Sequence, residues 1–146
     1  MSLVDTSVWV DFLRGTDSRA AQHLRRMLAQ REEITATEPI VMELLAGATN
    51  DRALAQIEML TDGLPIVGVD PRLDYRDAAA IFRTVRRSGK TVRRLNDCLI
   101  AAVALRHDIA VVHKDADFEA IAKATPLRTV ALTGESVVRD GKEDIT

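Results

Sequence analysis

Five acidic residues stand in apolar surroundings: Asp5 within LVDTSVWV, Glu43 within TEPIVMELLAG, Asp97 heading NDCLIAAVAL, and Asp115 and Asp117 in VVHKDADF. A carboxylate among apolar groups with no partner costs several kcal/mol or takes up a proton. Taken singly, most have a local explanation. Asp5 can cap a helix, Asp97 can sit favourably at a helix N-terminus, and Asp115 or Asp117 can shape a turn or start the next helix. Glu43 has no such role, because its neighbours one turn away, Pro39, Ile40, Ala46 and Gly47, are uncharged. Taken together, the acids pose an electrostatic problem, since two carboxylates about 5 Å apart repel by roughly 3 kcal/mol at an effective dielectric near 20. An all-oxygen set of Asp and Glu suits a hard divalent ion such as Mg²⁺ or Mn²⁺. Asp5 is therefore expected to pair with a metal held jointly by acids from distant parts of the chain.

The elements between these acids must bring them together. A short apolar run at residues 2–4 ends at Asp5, and Thr6 and Ser7 are placed to cap a helix that runs to about Leu13. Helical spacing predicts further helices over about 17–31, from Thr37 and Pro39 to Ala48, over 51–61 and over 71–88. Strands are expected at 34–36, 109–112 and 127–132, with a short extended segment at 64–69. Asn96 opens a nearly all-apolar helix, and another covers 117–124. Short apolar strands alternating with helices imply an α/β fold with a parallel sheet. Ligands in such folds bind beyond the carboxyl ends of the strands, where Asp5 and Asp115 are expected. Residues 1–132 are read as one domain and 133–146 as a polar tail.

Composition sets wider limits. The chain has 146 residues, 47% hydrophobic and 29% charged, which suits one globular domain with a real core. No apolar run approaches the roughly 20 residues needed to cross a bilayer. The start, Met-Ser-Leu-Val-Asp, has no basic leader region, and Cys98 has no partner cysteine, so a reducing cytoplasm is expected. The formal net charge of −2 does not advertise a nucleic-acid partner. One local stretch does. Arg83 to Arg94 reads RTVRRSGKTVRR, with Arg83, Arg86, Arg87, Lys90, Arg93 and Arg94 and no acid, and it leads directly into Asn96-Asp97. A site built from acids repels a polyanion unless nearby cations attract it, and this stretch can do so. The other reading is a solvated helix face with a loop. His113 beside the acids is read as structural more readily than as a metal ligand or general acid. Trp9 and Phe118 are read as core rather than as base-stacking platforms.

The order Asp5 in LVDTSVW, Glu43 in TEPIVMELLAG, Asp97 in NDCLIAA and Asp115 in HKDADF resembles the PIN-domain ribonucleases, and most closely the VapC toxins of VapBC toxin–antitoxin pairs. The resemblance runs from the first residues to about Leu132. It implies a Rossmann-like fold and metal-dependent endonucleolytic cleavage of RNA with Mg²⁺ or Mn²⁺. Asp5, Glu43, Asp97 and Asp115 would form the acidic quartet, Asp117 would match a further acid, and Ser7 would assist near the metal. The resemblance also implies a small VapB-type antitoxin that masks the acid pocket, and a homodimer.

Three rivals follow from the same residues. A dehalogenase-like phosphatase expects a second Asp two residues after the first, where Ser7 stands. A phosphorelay receiver expects paired acids before its phosphoacceptor strand, and none are found. A non-catalytic RNA-binding or scaffold module on the same fold would leave the carboxylates unfilled.

Overall fold

The computed structural model describes residues 1–133. The expected tail from 134 onward lies outside them. The chain runs β1 (Ser2–Val4), α1 (Thr6–Leu13), α2 (Arg19–Ala29), β2 (Ile34–Thr35), α3 (Glu38–Ala46), α4 (Asp51–Asp62), α5 (Asp74–Arg87), α6 (Leu95–His107), β3 (Ala110–His113), α7 (Ala116–Ala124) and β4 (Thr129–Ala131). The four strands form one sheet in the order β2-β1-β3-β4, every pair parallel. This is the α/β architecture the alternation of strands and helices predicts. The register pairs Val4 of β1 with Val112 of β3, so these two central strands end side by side. The expected extended segment at 64–69 contributes a single bridge, Ala36 to Ile66, which continues the line of β2.

Local chemistry sets the helix boundaries. Ser18 Oγ accepts from Ala21 N and starts α2, Asn50 Oδ1 accepts from Ala53 N and starts α4, and Gly47 and Gly63 stand at the C-caps of α3 and α4. Helix α5 begins at Asp74 rather than 71, and Asp70 and Arg72 form the turn before it. Asp108 ends α6 in the left-handed region at φ 53°, which Asp tolerates better than most residues. The core gathers Leu3, Val4, Val8 and Trp9 with Ile100, Val111, Val112, Phe118 and Ile121. Trp9 and Phe118 are wholly buried, as expected of core residues. Helix α6 is buried from Asp97 to Ala104 and packs against α5, α3, α7 and β3. It thus carries a carboxylate into the interior at its first turn.

Two acids outside the five singled out above are also buried. Asp74 is wholly buried and takes two bonds from Arg106, Nε to Oδ1 at 2.9 Å and Nη2 to Oδ2 at 2.8 Å. Asp11 is buried and bonded to Lys114 and Ser18. Their partners lie 32 and 103 residues away along the chain for Arg106 and Lys114, so no local pattern marks them. Among the described residues no helix is long and apolar enough to cross a membrane.

Candidate metal centre

The carboxyl ends of β1 and β3 place two acids at helix starts. Asp5 follows β1 and is the N-cap of α1; its Oδ2 accepts from Ser7 N at 3.1 Å and Ser7 Oγ at 2.6 Å. The cap is therefore Asp5 rather than Thr6 or Ser7, and Ser7 is the direct partner of this carboxylate. Burial pushes the Asp5 carboxyl above its ordinary value; the Ser7 bonds act against this, and nearby Asp115 adds to it. Asp115 follows β3 by two residues and caps α7, its Oδ1 accepting from Asp117 N at 2.9 Å. Asp97 enters from the first turn of α6, and Glu43 from α3, where Thr6 Oγ1 donates to Glu43 Oε1 at 3.3 Å.

Asp5, Glu43, Asp97 and Asp115 line one cavity of about 190 Å³, together with Thr6, Ser7, Val10 and Arg94. Asp97, Asp115 and Asp117 each offer an oxygen within 4.8 Å of the others. Asp117 does not line the cavity. Its Oδ2 accepts from the backbone N–H of Arg93 at 3.2 Å and of Arg94 at 3.3 Å, so it fastens the loop before α6. Asp115 lines the cavity, while Asp117 both fastens this loop and offers an oxygen to the cluster with Asp97 and Asp115.

The electrostatics are those of a crowded acid site. Burial pushes the Asp97 carboxyl up to about 8, reinforced by its hydrogen bond with Asp117 and by the charges of Asp5, Asp115 and Asp117. Burial opposes ionisation of Asp117 as well, but the backbone bond from Arg93 and the bond with Asp97 leave it below its ordinary value. Burial and the charge of Asp5 raise Glu43. Asp97 Oδ2 is buried and has no hydrogen-bond partner among the described residues. A buried carboxylate oxygen left unpaired is costly, and the clustered oxygens of Asp97, Asp115 and Asp117 fit a hard cation.

Two arginines enter the site from the basic stretch. Arg93 places Nη2 3.2 Å from Asp115 and Nε 3.4 Å from Asp117. Arg94 places Nη2 3.3 Å from Asp115 and Nη1 3.6 Å from Glu43. Two guanidinium groups thus offset part of the repulsion that the sequence assigns to a metal alone. Their side chains remain 68% and 56% exposed, so these pairs are screened and exchangeable. Other cations of the stretch keep local surroundings. Arg86 lies over the Phe82 ring, Arg87 bonds Thr84, and Lys90 is exposed.

His113 is wholly buried, accepts from Asp115 N at Nδ1 and packs on Phe118 at 5.2 Å. Burial lowers its pKa, and it supports the Asp115 loop from beneath rather than lining the cavity. Sequence reasoning missed Thr6 and the pairing of Arg93 and Arg94 with the acids. Only the adjacency of Arg93-Arg94 to Asp97 signalled the latter.

A PIN domain model matches residues 2–124. The chain is 48% identical over 132 residues to VapC ribonuclease Mb1587 of Mycobacterium bovis and to ribonuclease VapC11 of Mycobacterium tuberculosis, covering 90% of this chain and 98% of each relative. Its fold is shared with a DNA-bound VapBC from Salmonella typhimurium at TM-score 0.71, with 19% identity and coverage of 90% and 99%. Parallel strand order, acids at the strand ends and a family match over most of the length agree: the chain belongs to the PIN domain family.

Proposed function

We propose that this protein is a metal-dependent endoribonuclease and the toxin half of a type II toxin–antitoxin pair. The observation that carries the reading is the unpaired, buried Asp97 Oδ2 in a cavity shared with Asp5, Glu43 and Asp115. The 48% identity to two VapC ribonucleases supports the substrate class. Asp5 and Asp97 would be the direct ligands, and Glu43 and Asp115 would complete the set. Mg²⁺ would be the ion, with Mn²⁺ as its substitute. Such an ion would supply an activated water and neutralise charge on the phosphoryl oxygens.

The chain's own residues do the rest. Ser7 holds the Asp5 carboxylate by two bonds and fixes its orientation. Asp117 secures the loop that carries Arg93 and Arg94. Arg86, Arg87, Lys90, Arg93 and Arg94 draw the RNA backbone to an otherwise repulsive site. Cys98 is buried with its thiol pushed up to about 11 by burial and by Asp97 and Asp117, so it is no nucleophile at neutral pH. Direct hydrolysis follows. The phosphatase alternative lacks its second Asp, since Ser7 stands there and bonds Asp5.

The partners are a VapB-type antitoxin, a second copy of this chain, and RNA, all met in the cytoplasm. An antitoxin arginine entering the cavity would use the pairing geometry Arg94 already shows. Helix α4 buries only Ile57 and Thr61 and leaves Met59 exposed, which suits an interface between copies. The test is incubation of the purified protein with total RNA. Endonucleolytic fragments should appear with Mg²⁺, vanish with a chelator and fail to form with Asp5→Asn. Undiminished cutting by that variant would refute the scheme.

A further inference from the structure

Lys114 stands between β3 and Asp115 and reaches α1 at two points. Its Nζ is 2.7 Å from Asp11 Oδ2, and the same oxygen accepts from Ser18 Oγ at 2.7 Å. Its backbone N–H donates to Ser7 Oγ at 3.2 Å. That bond occupies the acceptor side of the hydroxyl and leaves its proton aimed at Asp5 Oδ2, 2.6 Å away. Asp11 is buried in the body of α1, the helix that Asp5 caps. Lys114 therefore ties the loop carrying Asp115 and Asp117 to the helix carrying Asp5.

We propose that the Asp11–Lys114 ion pair is a positioning device for the metal centre, holding the Asp115 loop in register with Asp5 across the cavity. The proposal rests on the metal-centre reading above. Neither Asp11 nor Lys114 lines the cavity. The pair's effect is transmitted through Ser7 to one ligand and along the backbone to another. Groups that support ligands from behind commonly govern metal affinity.

The sign of the effect separates positioning from charge. Removing the Lys114 cation beside a cluster of acids would, by charge alone, tighten a divalent ion. Loss of register would weaken it. Mn²⁺ affinity of the intact protein, measured by isothermal titration calorimetry, reads this directly. Lys114→Met should weaken Mn²⁺ about tenfold, while Lys114→Arg, which keeps a cation able to reach Asp11, should stay within about twofold of the parent. Lys114→Gln serves if the Met variant does not fold. In RNA cleavage, the Mn²⁺ concentration for half-maximal rate should rise, with the rate at saturating Mn²⁺ restored, at a temperature where the metal-free variant stays folded. Unchanged or tighter Mn²⁺ binding in Lys114→Met would overturn the proposal. Mn²⁺ binding that Asp97→Asn leaves intact would instead overturn the metal centre itself.

Discussion

Arg94 bridges Asp115 and Glu43, with Nη2 3.3 Å from the first and Nη1 3.6 Å from the second. A guanidinium at this place competes with any cation for the same oxygens. Arg94→Gln should therefore tighten Mn²⁺ binding, by roughly threefold for an exposed, screened pair. The same variant should weaken binding of RNA and flatten its salt dependence. Calorimetry for the metal and a salt series of RNA binding check the two halves.

The acid site should also be visible in stability. A ligand bound only by the folded state stabilises it by about 2.7 kcal/mol at a hundredfold excess over Kd. The melting temperature should rise with Mn²⁺, and the rise should disappear in Asp97→Asn. A non-catalytic module on this fold would melt alike with and without the ion.

Asp97 also sets a pH dependence of the metal-free protein. Its folded pKa is raised from 3.8 to about 8, so its favourable contribution is complete below pH 3.8 and is lost as pH rises towards 8. Asp97→Asn should flatten stability across that window and leave the metal-free variant more stable than the parent at pH 8. Denaturant melts from pH 5 to about pH 8 measure it.

Asp74 and Arg106 give the opposite sign at a place remote from the cavity. Burial opposes ionisation of Asp74, yet the bonds from Arg106 and Asp70 hold it below 3.8. Its contribution is present above pH 3.8 and is lost as pH falls through the lowered value. Arg106→Met leaves a buried carboxylate unpaired and should cost about 3 kcal/mol. Metal affinity should not change, which separates this pair from the cavity residues.

Much of this arrangement could be read from residue order. Acids at the ends of apolar runs announced Asp5 and Asp115, and Glu43 stood out because no local role explained it. The parallel sheet followed from short apolar strands between helices, and the family from the order of the acids. What stayed hidden were pairings between distant charges. Lys114 and Arg106 look like ordinary surface cations until the fold sets Asp11 and Asp74 beside them. The basic stretch was visible, but not that Arg93 and Arg94 would turn onto the acids while Arg86 and Arg87 stayed on α5. Periodicity reports which residues are apolar, and it carries no information on which loop folds back over which strand end.

The most direct measurement is anomalous diffraction from crystals soaked in Mn²⁺. The account predicts a peak in the cavity within bonding distance of Asp97 Oδ2 and Asp5, with Arg94 drawn off Glu43. A cavity without a peak, and Arg94 still seated between Glu43 and Asp115 at saturating Mn²⁺, would contradict it.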